Sequence, residues 1–272
     1  MAKSNQKPIA YSDYKIAVLD IENAPNLGFV WDKYEQNVLS YEREWFMLSY
    51  AWKWYGKKNK VQCLSLPDFT GYKKNKYDDS KLIDELWYVF DEADMIVWHN
   101  GWRFDRRKSN TRFLWNDLAP YSLPQSFDTL TEARDLYKFN SNKLGDLAEF
   151  LGYPGKIKHH GIETWLGCYY GDMAQWDIMT EYNAHDVVMN EWVYDEIKPW
   201  SKRHPNVALA TGKSGACRVC GRVEYMHIRE DRPYRRLKSF VADLWHCDRE
   251  VGGCGAYSTG KRVKDPNLIL QG

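Results

Sequence analysis

The chain has 272 residues, a formal net charge of +1 and 44% hydrophobic residues. This length allows one sizeable domain plus a small accessory domain, or two small domains, and the hydrophobic fraction is enough for a core. No apolar run approaches the roughly 20 residues of a membrane-spanning helix, so the sequence predicts no membrane association. The first residues lack the apolar stretch of a signal peptide, which predicts a cytoplasmic protein, in the host cytoplasm if the gene is viral; a short transit signal is the alternative.

The charge is divided unevenly along the chain. From Ser201 to the end, 14 Lys and Arg accompany 7 Asp and Glu, whereas residues 1–200 hold 24 basic and 30 acidic residues. An acidic body with a basic tail is typical of metal–carboxylate chemistry joined to a module that binds a polyanion. Chance variation of the surface is the alternative explanation.

Hydrophobic patterning predicts a mixed α/β sheet flanked by helices. Residues 14–22 form a buried strand that ends in carboxylates, a long loop follows, and residues 45–56 and 60–66 form the next two strands. The later elements are a helix over 78–93, a strand over 95–100 that leads into a second helix, a strand end over 125–130, a short helix over 143–155 and a long helix over 171–200. Three strands followed by alternating helices and strands indicate the α/β class.

Composition also predicts where the chain divides. Residues 202–215 contain turn residues and little periodicity, which places a linker over 201–214. The linker would join a large domain over 1–200 to a small module over 215–272. Strand-like pieces within the module lie between pairs of cysteines.

Four of the six cysteines fall in the last quarter of the chain: Cys217, Cys220, Cys247 and Cys254. In a cytoplasmic protein this clustering favours a metal over disulfides, and four thiolates favour one structural Zn²⁺. The first pair has the spacing and following glycine of a zinc knuckle, so the module resembles a zinc ribbon. Because six residues separate the second pair, where a typical ribbon has two, His227 or His246 could replace a cysteine. Free thiols or redox chemistry are the alternatives.

Carboxylates follow the first strand and recur in two later segments. Asp20 and Glu22 stand two apart on a strand, so both point to one face and can share a cation, and their hard oxygens suit Mg²⁺ or Mn²⁺ better than zinc. Tyr182 and Asp186 stand four apart in a helical pattern, which puts them on one face. Asp105 comes shortly after a buried strand. Taken singly, each has a structural explanation: a solvated strand end, an exposed helix face and a helix N-cap.

Together and in this order, the segments DIE, HNGWRFD, FDTL, KLGDLAEFLG and YNAHD resemble the DEDD superfamily of 3′–5′ exonucleases, which have a ribonuclease H-like fold. The resemblance covers about residues 14–195. The Tyr-x-x-x-Asp form of the third motif marks the DEDDy subgroup, because Glu181 stands where the His-type subgroup carries its histidine. A nuclease of this kind with a C-terminal ribbon is similar to phage-encoded exonucleases that stand apart from their polymerase.

The resemblance implies hydrolysis of phosphodiester bonds with two Mg²⁺ or Mn²⁺ ions. It implies that Asp20 bridges both ions, that Glu22 and Asp186 complete the ion that activates water, and that Asp105 holds the other ion mainly through water. Tyr182 would orient the attacking water, with Glu22 as its partner. Without metal, the clustered carboxylates should repel one another and have raised pKa values.

Candidate substrate contacts follow the first motif, lie in the second motif and recur in the ribbon, where basic and aromatic residues suit a phosphate track with stacking. They are Asn23, Leu27, Phe29, Asn100, Trp102, Arg103, Arg232, Arg235 and Arg236. Packing or plain solvation is the alternative for each. Arg106 and Arg107 depart from the family, in which apolar residues are frequent there. Asp128 is expected to be structural, and His159 and His160 are expected to be exposed to solvent.

The function that the resemblance implies is a 3′–5′ exonuclease acting on single-stranded 3′ ends, with DNA favoured over RNA, in proofreading or end trimming during phage replication. An exoribonuclease is one alternative, because no pattern here reads a 2′-hydroxyl. A non-catalytic nucleic-acid binder on a nuclease fold is another, although the intact acidic residues argue against it. The ribbon would bind nucleic acid or recruit a DNA polymerase.

Overall fold

The computed structural model describes residues 14–34, 37–56, 60–155 and 161–263. Within this part of the chain there are two compact units, one of residues 15–194 and one that comprises Tyr14 and the residues from Asp195 onwards. The first unit therefore ends before the limit at residue 200 that composition indicates. The segment 201–214, expected to be a linker without periodicity, contains a helix of 5 residues, Val207–Thr211, which is too short for a periodic pattern to reveal.

The larger unit is built on a five-stranded mixed sheet. Its strands, with those of a separate hairpin, are β1 (Ile16–Asn23), β2 (Leu27–Phe29), β3 (Ser40–Arg43), β4 (Met47–Trp54), β5 (Gln62–Ser65), β6 (Met95–Trp98) and β7 (Gln125–Asp128). The sheet order is β5-β4-β1-β6-β7. The pairs β1–β4 and β4–β5 are antiparallel, whereas β1–β6 and β6–β7 are parallel. The predicted mixed α/β sheet is confirmed.

Helices flank the sheet, and their bounds are α1 (Ser80–Glu92), α2 (Asp105–Trp115), α3 (Thr129–Leu136), α4 (Leu144–Phe150), α5 (Ile162–Tyr170) and α6 (Met173–Ile197). A single 3₁₀ turn, Leu66–Asp68, follows β5. Apolar residues at helical spacing explain α1, which buries Leu82, Ile83, Leu86, Val89 and Phe90. The sequence did not indicate α3 or α5, which have 8 and 9 residues. None of the helices in the described residues is both long and apolar enough to cross a membrane.

The central strand β1 is paired differently on its two sides. It pairs with β4 along residues 17–23. Its partner on the other side, β6, accompanies it only over Ile16–Val18. The first half of β1 is therefore enclosed in the sheet and apolar, and residues Ile16–Leu19 are buried. The second half, which begins at Asp20, has one side open to groups from the helices.

Residues 23–44 were expected to be a long loop, and this was wrong in part, because β2 and β3 form an antiparallel hairpin there. Strands of 3 and 4 residues that are largely exposed carry no alternating pattern to recognise. Gly28 is required at the hairpin, since a Cβ there would lie 2.6 Å from the Val38 side chain. The base of the hairpin is held by Arg43, whose guanidinium lies 3.6 Å from the ring centre of Tyr77 and donates to the Tyr169 hydroxyl at 3.1 Å.

The second unit contains α7 (Val207–Thr211) and a small antiparallel sheet, whose strands are β8 (Met226–Ile228), β9 (Tyr234–Arg236), β10 (Val241–Cys247) and β11 (Tyr257–Arg262). β10 is central and pairs with the other three strands. One buried cluster of this unit consists of Cys217, Val219, Cys247 and Ala256. Two of its four members are thiols, so the cysteines lie in the interior of the unit.

Candidate active site

Three carboxylates lie together where the open half of β1 meets α6. One oxygen from each of Asp20, Glu22 and Asp186 lies within 4.8 Å of the others. Alternation along β1 turns Asp20 and Glu22 to the same face, and α6 supplies Asp186, which is buried with 8% of its surface exposed. The structure thus brings together the carboxylates of the first and third sequence motifs.

Asp105 joins this group from α2. It is the first residue of the helix rather than its N-cap, a position that Phe104 occupies. Its carboxylate accepts a hydrogen bond from the backbone N–H of Ile21 at 3.2 Å, on the side of β1 that β6 leaves unpaired. Asp105 is 3% exposed, and it lies outside the set of three close carboxylates. Its charge nevertheless acts on Asp20, whose pKa it raises.

Burial and mutual repulsion dominate the electrostatics of the four carboxylates. Burial, followed by the charges of Asp105, Glu22 and Asp186, raises the pKa of Asp20 well above its usual value. Burial is also the largest cause for the others, raising the pKa of Glu22 to about 8, of Asp105 to about 7 and of Asp186 to about 6. The raised pKa values expected for the cluster are therefore present. Four such groups cannot all ionise at neutral pH without a counter-charge.

Two side chains that the sequence did not single out hold the carboxylates in place. The Asn183 amide donates to Asp20 at 2.7 Å and accepts a hydrogen bond from the Ser49 hydroxyl at 3.1 Å. The indole N–H of Trp165 donates to Glu22 at 3.0 Å. Asn183 lies inside the third motif, so its neighbours could have drawn attention to it. Trp165 lies on α5, which no pattern in the sequence indicated.

Tyr182 lies one residue before Asn183 and beside the acidic group. Its hydroxyl forms a hydrogen bond with Asp186, and burial is the largest cause that raises the pKa of the phenol. Its ring meets the Trp165 ring edge-on, with 5.7 Å between the centres. The resemblance implied Glu22 as the partner of this hydroxyl; the hydrogen bond seen here is to Asp186, and Glu22 accepts from Trp165 instead.

The candidate contacts after the first motif differ in their surroundings. Asn23 ends β1, and both polar atoms of its side chain are buried without a hydrogen-bond partner in the described chain. Leu27 packs against the main core, whereas Phe29 is 58% exposed. Asn23 therefore offers unpaired amide atoms to a ligand, and Phe29 offers an exposed aromatic ring. Leu27 has a packing role.

The second motif forms a turn organised by Asp128. The backbone N–H groups of Asn100 and Trp102 donate to its two carboxylate oxygens at 3.1 and 3.0 Å, and it also caps α3 through Thr131. Asn100 adopts the left-handed conformation with φ of 65°, which asparagine tolerates better than most residues. Asp128 thus has a structural role, as expected.

Aromatic and basic side chains surround this turn. Trp102 is 47% exposed, and the guanidinium of Arg106 lies 3.7 Å from the centre of its ring. Arg103 and Arg107 are exposed. His159 and His160 lie outside the described residues. The second motif therefore presents a stacked Trp–Arg pair and two further cations on the same unit as the acidic group.

The four cysteines of the second unit converge on one point. Their sulfur atoms all lie within 4.8 Å of one another, and the Cys217–Cys254 and Cys220–Cys247 pairs are both separated by 3.6 Å. These separations exceed the roughly 2.05 Å of a disulfide bond. They approach the edge of about 3.8 Å that four sulfurs at about 2.3 Å from a tetrahedral Zn²⁺ would have. Hydrogen bonds from the neighbouring thiols hold the pKa of Cys217 well below its usual value.

The two histidines of this unit are engaged elsewhere. His246 stacks on Tyr257 with 4.5 Å between the ring centres, and its other neighbour is His227. Neither belongs to the group of converging ligands in the described chain. The arginines expected to contact substrate, Arg232, Arg235 and Arg236, lie exposed on or beside β9.

Comparisons with known proteins bear on the larger unit. A family model described as the RNase_H superfamily (RNase_H_2) matches residues 51–198. That range contains Asp105, Tyr182 and Asp186 but begins after Asp20 and Glu22. No curated protein matches the chain.

Among solved structures, the chain is similar to the family B DNA polymerase from the hyperthermophilic archaeon Pyrobaculum calidifontis. The TM-score is 0.53 at 14% sequence identity, and the match covers 74% of this chain and 26% of the polymerase chain. At this identity the likeness concerns the fold. The chain spans about a quarter of the length of that polymerase.

The raised pKa values predict that Asp20→Asn stabilises the metal-free protein at high pH. A carboxyl group whose folded pKa lies above its unfolded value favours folding at low pH, and this contribution is lost as the pH rises, here between about 4 and the value of about 8 for Glu22. Without added divalent cation at pH 8, we expect Asp20→Asn to unfold roughly 2–4 °C higher than the parent, the shift that about 1 kcal/mol produces in a domain of this size. At pH 5 the difference should shrink.

Differential scanning calorimetry with and without Mg²⁺ measures this effect. Mg²⁺ should raise the unfolding temperature of the parent protein and have less effect on the variant. Asp84→Asn, at an exposed position of α1, is the matched control and should change neither response. An Asp20→Asn protein that unfolds below the parent at pH 8 would show that repulsion among the carboxylates does not control the stability of this site.

Proposed function

The chain belongs to the RNase_H superfamily, and from this premise we propose that its larger unit is a metal-dependent 3′–5′ exonuclease of the DEDDy subgroup that removes single nucleotides from DNA. The observation that carries the proposal is the group formed by Asp20, Glu22 and Asp186, with oxygens within 4.8 Å of one another. Asp105 and Tyr182 complete the set that this activity requires.

The donor set fits hard divalent cations. It consists of carboxylate oxygens, which suit Mg²⁺ or Mn²⁺, and the repulsion within it calls for positive charge. The hydrogen bonds from Asn183, Trp165 and Ile21 each use one oxygen of a carboxylate, so the other oxygen can hold a cation. Asp20, Glu22 and Asp186 would hold one ion, and Asp20 and Asp105 the other. Such ions, when bound, make water a better nucleophile and stabilise the leaving oxygen.

The protein's own residues would orient the reactants. The phenol of Tyr182 is protonated at neutral pH and donates its proton in a hydrogen bond to Asp186, so its oxygen is left to accept a hydrogen bond from the attacking water. Asn183 and Trp165 fix the directions of Asp20 and Glu22. Asn23, whose amide is buried without a partner in the described chain, would bind the terminal nucleotide, and the exposed ring of Phe29 would stack on its base.

One observation supports DNA as the substrate. The solved structure with a similar fold over 74% of this chain is a DNA polymerase. We propose for this chain a role in proofreading or end trimming during phage replication, beside a DNA polymerase in the host cytoplasm. RNA is the alternative substrate.

We also propose that the four cysteines bind one structural Zn²⁺ in a zinc ribbon over residues 215–272. The fit rests on their sulfur separations of 3.6 Å. The two histidines contact each other and Tyr257, which supports the assignment of all four ligands to cysteine. Zinc bound there would link the segments that carry the four cysteines and so stabilise the unit.

The nuclease proposal predicts stepwise shortening of DNA from its 3′ end in Mg²⁺ or Mn²⁺. A 5′-labelled oligonucleotide should give a ladder of shortened products, and a 3′-labelled one should release a labelled mononucleotide first. Asp20→Ala should abolish both signals, because it removes the ligand shared by the two ions, whereas Asp84→Ala should retain them. Matched RNA oligonucleotides test the alternative substrate.

Three outcomes contradict parts of this proposal. Shortening from the 5′ end contradicts the direction, and cleavage of RNA alone contradicts the substrate. A protein that binds oligonucleotides but leaves DNA and RNA uncut in either metal is a binding protein on a nuclease fold.

Tyr182→Phe should slow hydrolysis by about 10–100-fold, because one hydrogen bond that positions the water is lost. Stability in saturating Mg²⁺ should remain close to that of the parent, since the carboxylates are unchanged. Single-turnover cleavage rates and calorimetry measure the two quantities. A cleavage rate equal to that of the parent would mean that the hydroxyl only packs against Trp165 and Asp186.

The zinc proposal predicts one Zn²⁺ per chain by mass spectrometry of the metal content. Cys220→Ser and Cys254→Ser should lose that ion, and Co²⁺ substitution in the parent should give the thiolate charge-transfer bands of a tetrahedral site. Cys63→Ser is the matched control, because Cys63 lies on β5 in the other unit. Loss of zinc in His246→Ala alone, with full zinc in Cys254→Ser, would reassign the fourth ligand.

A further inference from the structure

The second unit contains two pockets that share two residues. The larger pocket, of about 610 Å³, is lined by residues that include Lys202, Arg218, Arg235, Leu237, Tyr257 and Ser258. The smaller one, of about 240 Å³, is lined by Arg229, Arg232, Arg235, Leu244 and Tyr257. Because Arg235 and Tyr257 line both, the pockets form one concave surface beside β9 and β11.

This surface is basic. Five cationic side chains line it, and no acidic residue does so in the described chain. Two of the five are held by the protein itself: Arg218 donates to the Ser201 carbonyl at 2.8 Å, and Arg229 pairs with Asp231. Lys202, Arg232 and Arg235 remain to bind an anionic ligand.

The strand pairing explains why Arg235 and not its neighbour reaches the pockets. Arg235 lies opposite the buried Ala242 of β10, whereas Arg236 lies opposite Val241. Successive side chains of a strand point to opposite faces. Arg235 therefore lines both pockets, and Arg236 lines neither.

The larger pocket also has an apolar part. Leu237 follows Arg235 by two residues and belongs to the same lining. Its side chain suits contact with a base or sugar.

We propose that this surface binds consecutive nucleotides of a single nucleic-acid strand, with Lys202 and Arg235 on successive phosphates. The inference rests on the proposed function in one respect, that the strand is the nuclease's substrate. A pocket of about 610 Å³ has the size of sites that enclose a small ligand, so it can take a whole nucleotide, whose base is inaccessible in a duplex. The shared Arg235 favours two linked nucleotides over one free nucleotide.

Binding is measured in the full-length Asp20→Ala protein, so that cleavage does not interfere. Fluorescence anisotropy of a labelled oligothymidylate of about 20 nucleotides gives the affinity between 50 and 200 mM salt. Lys202→Ala and Arg235→Ala should each weaken binding by about 5–10-fold and lower the salt slope by about 1. The matched control Lys261→Ala, at an exposed position outside the pockets, should stay within about twofold of the parent. Circular dichroism and zinc content identify any variant that fails to fold.

Three results would overturn the proposal. The first is an Arg235→Ala affinity within twofold of the parent, or an equal loss in Lys261→Ala, which would mean that overall charge and not this surface binds the strand. The second is tighter binding of a blunt duplex than of the single strand. The third is displacement of the oligonucleotide by an equal nucleotide concentration of thymidine monophosphate. If the parent protein cuts no nucleic acid while Arg235→Ala still weakens binding, the proposed nuclease function fails and the strand-binding surface remains.

Discussion

Burial of four neighbouring carboxylates is the constraint on which the larger unit depends. Asp20, Glu22, Asp105 and Asp186 are placed where burial raises every one of their pKa values, an arrangement that lowers stability unless a cation compensates. The fold tolerates it because the apolar half of β1 is fully enclosed and because hydrogen bonds from Asn183 and Trp165 fix the acidic half. Stability lost in this way is typical of functional sites.

The sequence predicted much of this site because strand and helix periodicity place its residues on known faces. Asp-x-Glu on a strand and Tyr-x-x-x-Asp on a helix each fix two side chains on one face. What the sequence could not supply is which groups approach from elsewhere. Trp165 comes from a helix of 9 residues without a clear pattern, and Asp105 bonds β1 only because β6 is short. Contacts of this kind depend on tertiary packing, which local patterns do not encode.

In the second unit, the sequence predicted the cysteines better than the arginines. The spacing of the thiols indicated that they converge, but nothing indicated which face of the sheet each arginine occupies. Arg235 and Arg236 are chemically identical and adjacent, and only the pairing of β9 with β10 distinguishes them. Because β9 is exposed at all of its residues, no hydrophobic pattern specifies its register. The sequence therefore could not predict which arginine of the basic run points to which face of the sheet.

The hydrogen bond between Asn183 and Asp20 joins residues 163 positions apart. The acidic group therefore cannot assemble until nearly the whole larger unit has left the ribosome. A chain still under synthesis carries Asp20, Glu22 and Asp105 without Asp186 or Tyr182, and contacts of such long sequence separation form slowly. The full set of carboxylates therefore exists only once the larger unit is whole.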